Sequence, residues 1–77
     1  MAYEPKLKIS AREESGKLAE LVIVDEADTY NLPTVVVKGP RNVKKARALL
    51  PGVKTMSEVQ QRLNHLGIRY SYYCAVD

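Results

Sequence analysis

The strongest chemical signal in this sequence is a run of basic side chains. The ten residues from Lys38 to Arg47 carry five bases and no acid. Most of these bases fall before or within the first turn of a predicted helix, where the helix dipole already places partial positive charge and acids are favoured. A phosphate would stabilise this arrangement, because it meets the bases and the free backbone N–H groups together. The five bases are Lys38, Arg41, Lys44, Lys45 and Arg47.

A second group of chemically useful residues lies near the C-terminus. All five aromatic residues of the chain are tyrosines, and three of them follow Arg69 closely. Tyrosine rings on a sheet surface stack on nucleic-acid bases or anchor a protein interface. A two-residue period predicts Arg69 and Tyr73 on one face, where they would extend the basic site. The opposite face is predicted to be core, and it comprises Ile68, Tyr70, Tyr72, Cys74 and Val76.

Acidic residues follow an apolar strand in the string Leu21-Val22-Ile23-Val24-Asp25-Glu26-Ala27-Asp28. The string resembles the strand and DEAD box that hold magnesium and water in RNA helicases, over eight residues. Those enzymes also need a GxxxxGK[ST] phosphate loop. The only Gly-Lys pair, Gly16-Lys17, lacks the earlier glycine and precedes Leu18. We therefore predict an acidic turn after a buried strand, and no ATPase. The chain satisfies the full motif of no family.

Catalytic and metal-binding constellations are not evident elsewhere. His65 and Cys74 are the only residues of their types, which excludes a zinc site built from His and Cys within one chain. A Cys-His nucleophile would lack a third, orienting group. A calcium loop starting at Asp25 needs Gly at its sixth position, where Tyr30 stands. We predict a non-enzymatic protein without cofactor or metal.

Length and composition limit the protein to one small domain, residues 1–77, because two cores would each be too small to fold. No apolar run approaches the roughly 18 residues of a membrane span. Glu4 and Pro5 stand where a signal peptide would be apolar, and a lone cysteine gives no disulfide, so we expect a cytoplasmic protein. Residues 1–34 carry four bases and seven acids, whereas residues 35–77 carry eight bases and two acids. This dipole predicts an anionic partner for the second half.

Hydrophobic periodicity predicts an α+β domain with about four mostly antiparallel strands and two helices, in the order βββααβ. The first strand is expected at an edge and is joined to the second by a turn over residues 14–17. The second is expected to be central and covered on both faces, because its apolar run is unbroken. The predicted strands cover residues 6–12, 18–24, 34–38 and 68–76.

Two helices are predicted between the third and fourth strands. Asn42 is the expected N-cap of the first helix, and Pro51-Gly52 ends it. Thr55 and Glu58 form a capping-box pattern for the second helix, which ends at Gly67. A short strand over residues 52–54 is the alternative between them. The apolar stripes are Val43, Ala46 and Leu50 in the first helix and Met56, Val59, Leu63 and Leu66 in the second.

Three functional hypotheses follow. The leading one is a binding module that contacts nucleic-acid backbone through the five bases, Arg69 and Tyr73. The second is a small inhibitor or adaptor, of the kind made by phages or mobile elements, that blocks a protein partner. It would use the spare apolar sheet face and an acidic surface made of Asp25, Glu26, Asp28 and Tyr30. The third is a binder of a small phosphate or nucleotide at the first helix.

The predicted core contains little apolar volume, because the chain has no Phe or Trp. The two helices would cover only one face of the sheet. The other face is therefore expected to meet a partner, either a second copy of the chain or another protein. A sedimentation mass of one monomer across micromolar concentrations would contradict the homodimer.

Overall fold

The computed structural model describes residues 6–74, which form a four-stranded antiparallel sheet and two helices. The predicted α+β class and the order βββααβ are confirmed. The strands are β1 (Leu7–Glu14), β2 (Lys17–Asp25), β3 (Pro33–Lys38) and β4 (Ser71–Cys74), and the helices are α1 (Pro40–Leu49) and α2 (Met56–His65).

The strands lie in the sheet in the order β1-β2-β3-β4, and each neighbouring pair is antiparallel. The predicted edge position of β1 and central position of β2 are confirmed. Ser15 and Gly16 form the turn between them, with φ values of 54° and 79°. Two left-handed residues give this two-residue hairpin the twist that matches its strands.

A β-bulge interrupts the pairing of β1 with β2. Arg12 pairs with Glu20, but the next residue, Glu13, pairs with Leu18, so Ala19 is the extra residue. The bulge changes the alternation of side chains in β2, so Leu18, just before the extra residue, packs against the core. The carbonyl of Ala19 accepts a hydrogen bond from the Gly39 backbone N–H at 3.0 Å, which ties the bulge to the start of α1.

The core lies between the helices and one face of the sheet. The two-residue period of β2 and β3 directs alternate side chains toward α1 and α2, and most of them are fully buried. Each such side chain contributes about 1.5–3 kcal/mol relative to an exposed one. The buried cluster comprises Leu21, Ile23, Val35, Val37, Val43, Ala46, Leu50, Met56, Val59, Leu63 and Ile68.

The other sheet face is not covered by any helix among residues 6–74. Val22 and Val24 on this face are half-buried, although the unbroken apolar run predicted a strand covered on both sides. That prediction is wrong, because both helices pack on the Leu21 and Ile23 side. We call the opposite side the uncovered face, and its central residues are Val22, Val24, Thr34, Val36, Ser71 and Tyr73.

The first helix begins earlier than predicted. Its N-cap is Gly39, and the predicted N-cap, Asn42, lies inside the first turn, where its Nδ2 donates to the Lys38 carbonyl at 3.4 Å. Pro40 explains the difference, because its fixed φ and missing N–H suit the first helical position. The N-cap of α2 is Thr55 as predicted, and its Oγ1 accepts a hydrogen bond from the Glu58 backbone N–H at 3.2 Å.

One apolar prediction around α2 is wrong, and the alternative strand before it is not formed. Leu66 is 44% exposed, because it follows the last helical residue and the chain then turns at Gly67, with φ of 70°, to bury Ile68 in its place. Residues 52–54 form no strand, and Val53 only packs partly against the core.

The fourth strand begins later and is more exposed than predicted, within the described residues. Ile68 and Tyr70 pack on the core before the strand begins, but Tyr72 is 48% exposed and Cys74 is exposed too. The predicted core face is therefore correct only for its first half. The reason is position, since β4 is an edge strand and α1 packs over β2 and β3. Val76 lies outside the described residues.

Candidate nucleic-acid interface

A surface groove lies where the end of β3, the first turn of α1 and the approach to β4 meet. It has a volume of about 330 Å³. Two of the predicted phosphate-binding bases, Lys38 and Arg69, line it together although they are far apart in sequence. We call it the basic groove, and its lining residues are Val36, Lys38, Asn42, Arg69, Tyr70 and Ser71.

The strand register explains this convergence. Val36 pairs with Ser71 across β3 and β4, so the residue two positions after Val36 faces the residue two positions before Ser71. These residues are Lys38 and Arg69. Gly39 has a φ of 97°, which turns the chain directly after Lys38 and starts α1 beside the groove.

The groove offers hydrogen-bond donors of four kinds. They are the Lys38 ammonium, the Arg69 guanidinium, the Asn42 amide and the Ser71 hydroxyl. No acidic side chain is among the described residues that line it. A guanidinium binds a phosphate through two parallel hydrogen bonds, and an ammonium adds a mobile point charge. This set of donors suits an oxyanion.

The remaining predicted bases all lie on α1 and are exposed. Lys44 and Lys45 come three and four residues after Arg41, so these three bases share the outer side of the helix. Arg47 lies on the other flank of α1 and lines a separate depression of about 230 Å³ with Ile9, Leu50 and Pro51.

The structure therefore places Lys38 and Arg69 in the groove and Arg47 in the other depression. Arg41, Lys44 and Lys45 lie between them on the exposed side of α1.

Tyr73 lies on the uncovered face, where it pairs with Thr34 across β3 and β4. Its side chain is 49% exposed. Ser71 stands between Tyr73 and Arg69 on the same face, so the structure brings Tyr73 to the border of the basic groove. The groove residues that sequence reasoning missed are Val36, Tyr70 and Ser71. The strand alternation that placed Arg69 and Tyr73 on one face also contained the signal for Ser71.

Two acidic residues at the end of β2 and in the turn that follows accept hydrogen bonds within that turn. Asp25 is 5% exposed and accepts a hydrogen bond from the Ala27 backbone N–H at 3.1 Å. The Asp28 carboxylate accepts bonds from the Asn31 backbone N–H at 3.0 Å and from Asn31 Nδ2 at 3.1 Å. Glu26 is half-buried and Tyr30 is 78% exposed. Of the predicted acidic surface, Tyr30 is thus the most accessible side chain.

The turn predicts a pH dependence of stability. Hydrogen bonds from the Asn31 backbone and side chain lower the pKa of Asp28. A carboxyl whose pKa is lower in the folded state stabilises the fold above its unfolded pKa, and this contribution is lost as the pH falls through the folded pKa. We expect Asp28→Asn to flatten the acid limb of a plot of unfolding free energy against pH, measured by urea denaturation from about pH 6 to about pH 3.

The matched control is Glu13→Gln, which neutralises an exposed carboxylate on β1. This variant should keep the acid limb of the unmodified protein. If the plots of unfolding free energy against pH are parallel for Asp28→Asn and the unmodified protein, Asp28 does not cause the loss of stability in acid.

Comparisons of the chain with protein-family models, curated proteins and solved structures found no match. Within residues 6–74, no group of three or more His, Cys, Asp or Glu side chains is arranged to hold a metal ion. In the same part of the chain, no helix has the length and apolar character needed to span a membrane. The functional interpretation therefore rests on the geometry of the groove.

Proposed function

We propose that this protein binds the phosphate backbone of nucleic acid through the basic groove and the adjacent outer side of α1. The observation that carries the proposal is the convergence of Lys38, at the end of β3, and Arg69, in the segment before β4, on a groove that also presents Asn42 and Ser71. Like charges brought together without a lining acid repel one another, so an anion in the groove relieves that cost.

The bases around the groove have different tasks in this proposal. Arg41 and Lys45 continue the positive surface along α1 and contact further phosphates. Lys44 and Arg47 strengthen long-range attraction of a polyanion without entering the groove. Phosphate contacts position a nucleic acid but do not discriminate its sequence. We therefore expect binding with little sequence preference.

The test is fluorescence anisotropy with labelled DNA and RNA oligonucleotides at several salt concentrations. About four phosphate contacts predict a slope near −3 for the logarithm of the association constant against the logarithm of salt concentration, for single strands. Salt-independent binding would contradict the proposal, as would a lack of binding at low salt. Displacement by a mononucleotide at concentrations close to those of the oligonucleotide would favour a small phosphate ligand instead.

A protein partner is the second candidate, and the exposed Tyr30 beside the acidic turn favours it. In this case Glu26→Lys and Tyr30→Ala would abolish a pull-down, while Lys38→Gln would not. Asp25 is unsuited to the test, because it is buried and accepts a hydrogen bond within its own turn.

A further inference from the structure

The uncovered face of the sheet has a regular arrangement of side chains. Cross-strand pairing aligns residues of all four strands in rows that run perpendicular to the strands. One row ends at Tyr73 and the next ends at Ser71. The first row is Lys8, Val24, Thr34 and Tyr73, and the second is Ser10, Val22, Val36 and Ser71.

The centre of this face is apolar, and one aromatic ring stands at its side. Val22 and Val24 are half-buried, Thr34 and Val36 are only 5% and 9% exposed, and the Tyr73 side chain keeps 49% of its surface exposed. Nucleic-acid bases stack on such a ring regardless of their sequence, because every base has a π face. An unpaired base can therefore lie against Tyr73 beside the valines.

The border of the face is basic. The strand register places five bases and two acids there, a formal net charge of +3. One of the acids, Glu20, lies 3.7 Å from the Arg12 guanidinium, which balances its charge. A polyanion complements such a border better than a neutral protein surface does. The bases are Lys8, Arg12, Lys17, Lys38 and Arg69, and the acids are Glu14 and Glu20.

The two faces of β4 differ in charge although both expose a tyrosine. Tyr72 is 48% exposed on the helix side. Burial and the Cys74 thiol raise the pKa of Tyr72, and the carboxylates of Asp28 and Asp25 contribute to the rise. A phosphate near Tyr72 would thus meet negative charge, whereas one near Tyr73 meets Lys38 and Arg69.

We propose that the uncovered face binds single-stranded nucleic acid, with a base stacked on Tyr73 and the neighbouring phosphates held by Lys38 and Arg69. This inference rests on the proposed function and names its substrate class. A duplex keeps its bases stacked and paired, so it cannot use the ring without unstacking, which is costly. Single strands present their bases freely and are recognised by aromatic platforms bordered by bases.

The experiment compares a labelled single strand with a duplex of the same sequence. Tyr73→Ala should weaken single-strand binding by about 5- to 100-fold and leave duplex binding unchanged. Tyr73→Phe, which keeps the ring, should bind like the unmodified protein. Tyr72→Ala is the matched control, because it removes an adjacent and equally exposed tyrosine from the other face, and its affinity should change less than about twofold.

A folding defect is separated from a binding defect by far-UV circular dichroism and urea denaturation of every variant. Tyr73→Leu, which keeps apolar bulk on β4, should show the same loss of single-strand affinity as Tyr73→Ala. Retained affinity in folded Tyr73→Leu would overturn the stacking role.

Three other results would overturn the inference. Equal losses of single-strand affinity for Tyr73→Ala and Tyr72→Ala, with binding still dependent on Lys38 and Arg69, would contradict base stacking on Tyr73. The proposed function would still be supported. Absence of salt-sensitive binding to any nucleic acid would contradict both this inference and the proposed function. A dimer mass in sedimentation that Tyr73→Ala reduces to a monomer mass would assign the uncovered face to a second copy of the chain.

Discussion

Replacing Lys38 and Arg69 together by glutamine should weaken single-strand binding about 60-fold at roughly 50 mM salt. Each phosphate contact releases about 0.7 of a counterion from a single strand, so two lost contacts remove about 1.8 powers of ten at this salt concentration. The salt slope should also become shallower by about 1.4. Glutamine keeps the length and polarity of the side chains, and it avoids placing a carboxylate opposite Glu20, which pairs with Lys38.

The matched control is Lys54→Gln with Arg62→Gln. These bases are exposed and lie outside the residues that line the groove, and the control lowers the net charge of the protein by the same amount. We expect the control to lose only a small part of the affinity through weaker steering. If both double variants weaken binding equally, overall charge explains the affinity and the groove has no special role.

Leu63→Ala should lower the free energy of unfolding by about 2–5 kcal/mol. The Leu63 side chain is fully buried in the cluster between the helices and the sheet, so the substitution leaves a cavity that the surrounding side chains cannot fill completely. A 77-residue domain has a total stability of only about 4–12 kcal/mol. Urea denaturation should therefore show a much lower midpoint, or a protein that is partly unfolded without denaturant.

Leu66→Ala is the control, because it makes the same substitution three residues later. Leu66 is 44% exposed and lies beyond the last residue of α2, and we expect a loss of less than about 1 kcal/mol. The apolar spacing of the sequence assigned both leucines to the core, so equal losses would support that pattern against the structure.

The elements of the fold were predictable because their signals are local. Alternating apolar residues identified the strands, and Thr55 and Gly67 identified the ends of the second helix. The errors occurred where two local signals compete. Asn42 is a good N-cap residue, but Pro40 fits the first helical position, and the helix begins there. Leu66 continues the apolar spacing of α2, but the helix ends before it and the chain turns at Gly67, so Leu66 stays exposed.

The candidate site was only partly predictable, because it depends on pairing between distant segments. The basic character of Lys38 and Arg69 is evident in the sequence, but their proximity follows from the β3–β4 register, which no local pattern specifies. The same limit applies to α1, where spacing alone did not reveal which flank meets the groove. The structure answers this by placing Asn42 in the groove and Arg47 in the depression beside Ile9.

The position of β4 links ligand binding to local stability. Two residues separate β1 from β2, whereas 32 residues separate β3 from β4. The β3–β4 pairing therefore joins the segments most distant in sequence. Within residues 6–74, β4 comprises Ser71–Cys74 and pairs only with β3, so its amide hydrogens should exchange before those of the central strands. A ligand that holds Arg69 and Tyr73 acts on this easily opened strand, and by mass action it keeps β4 closed against the sheet.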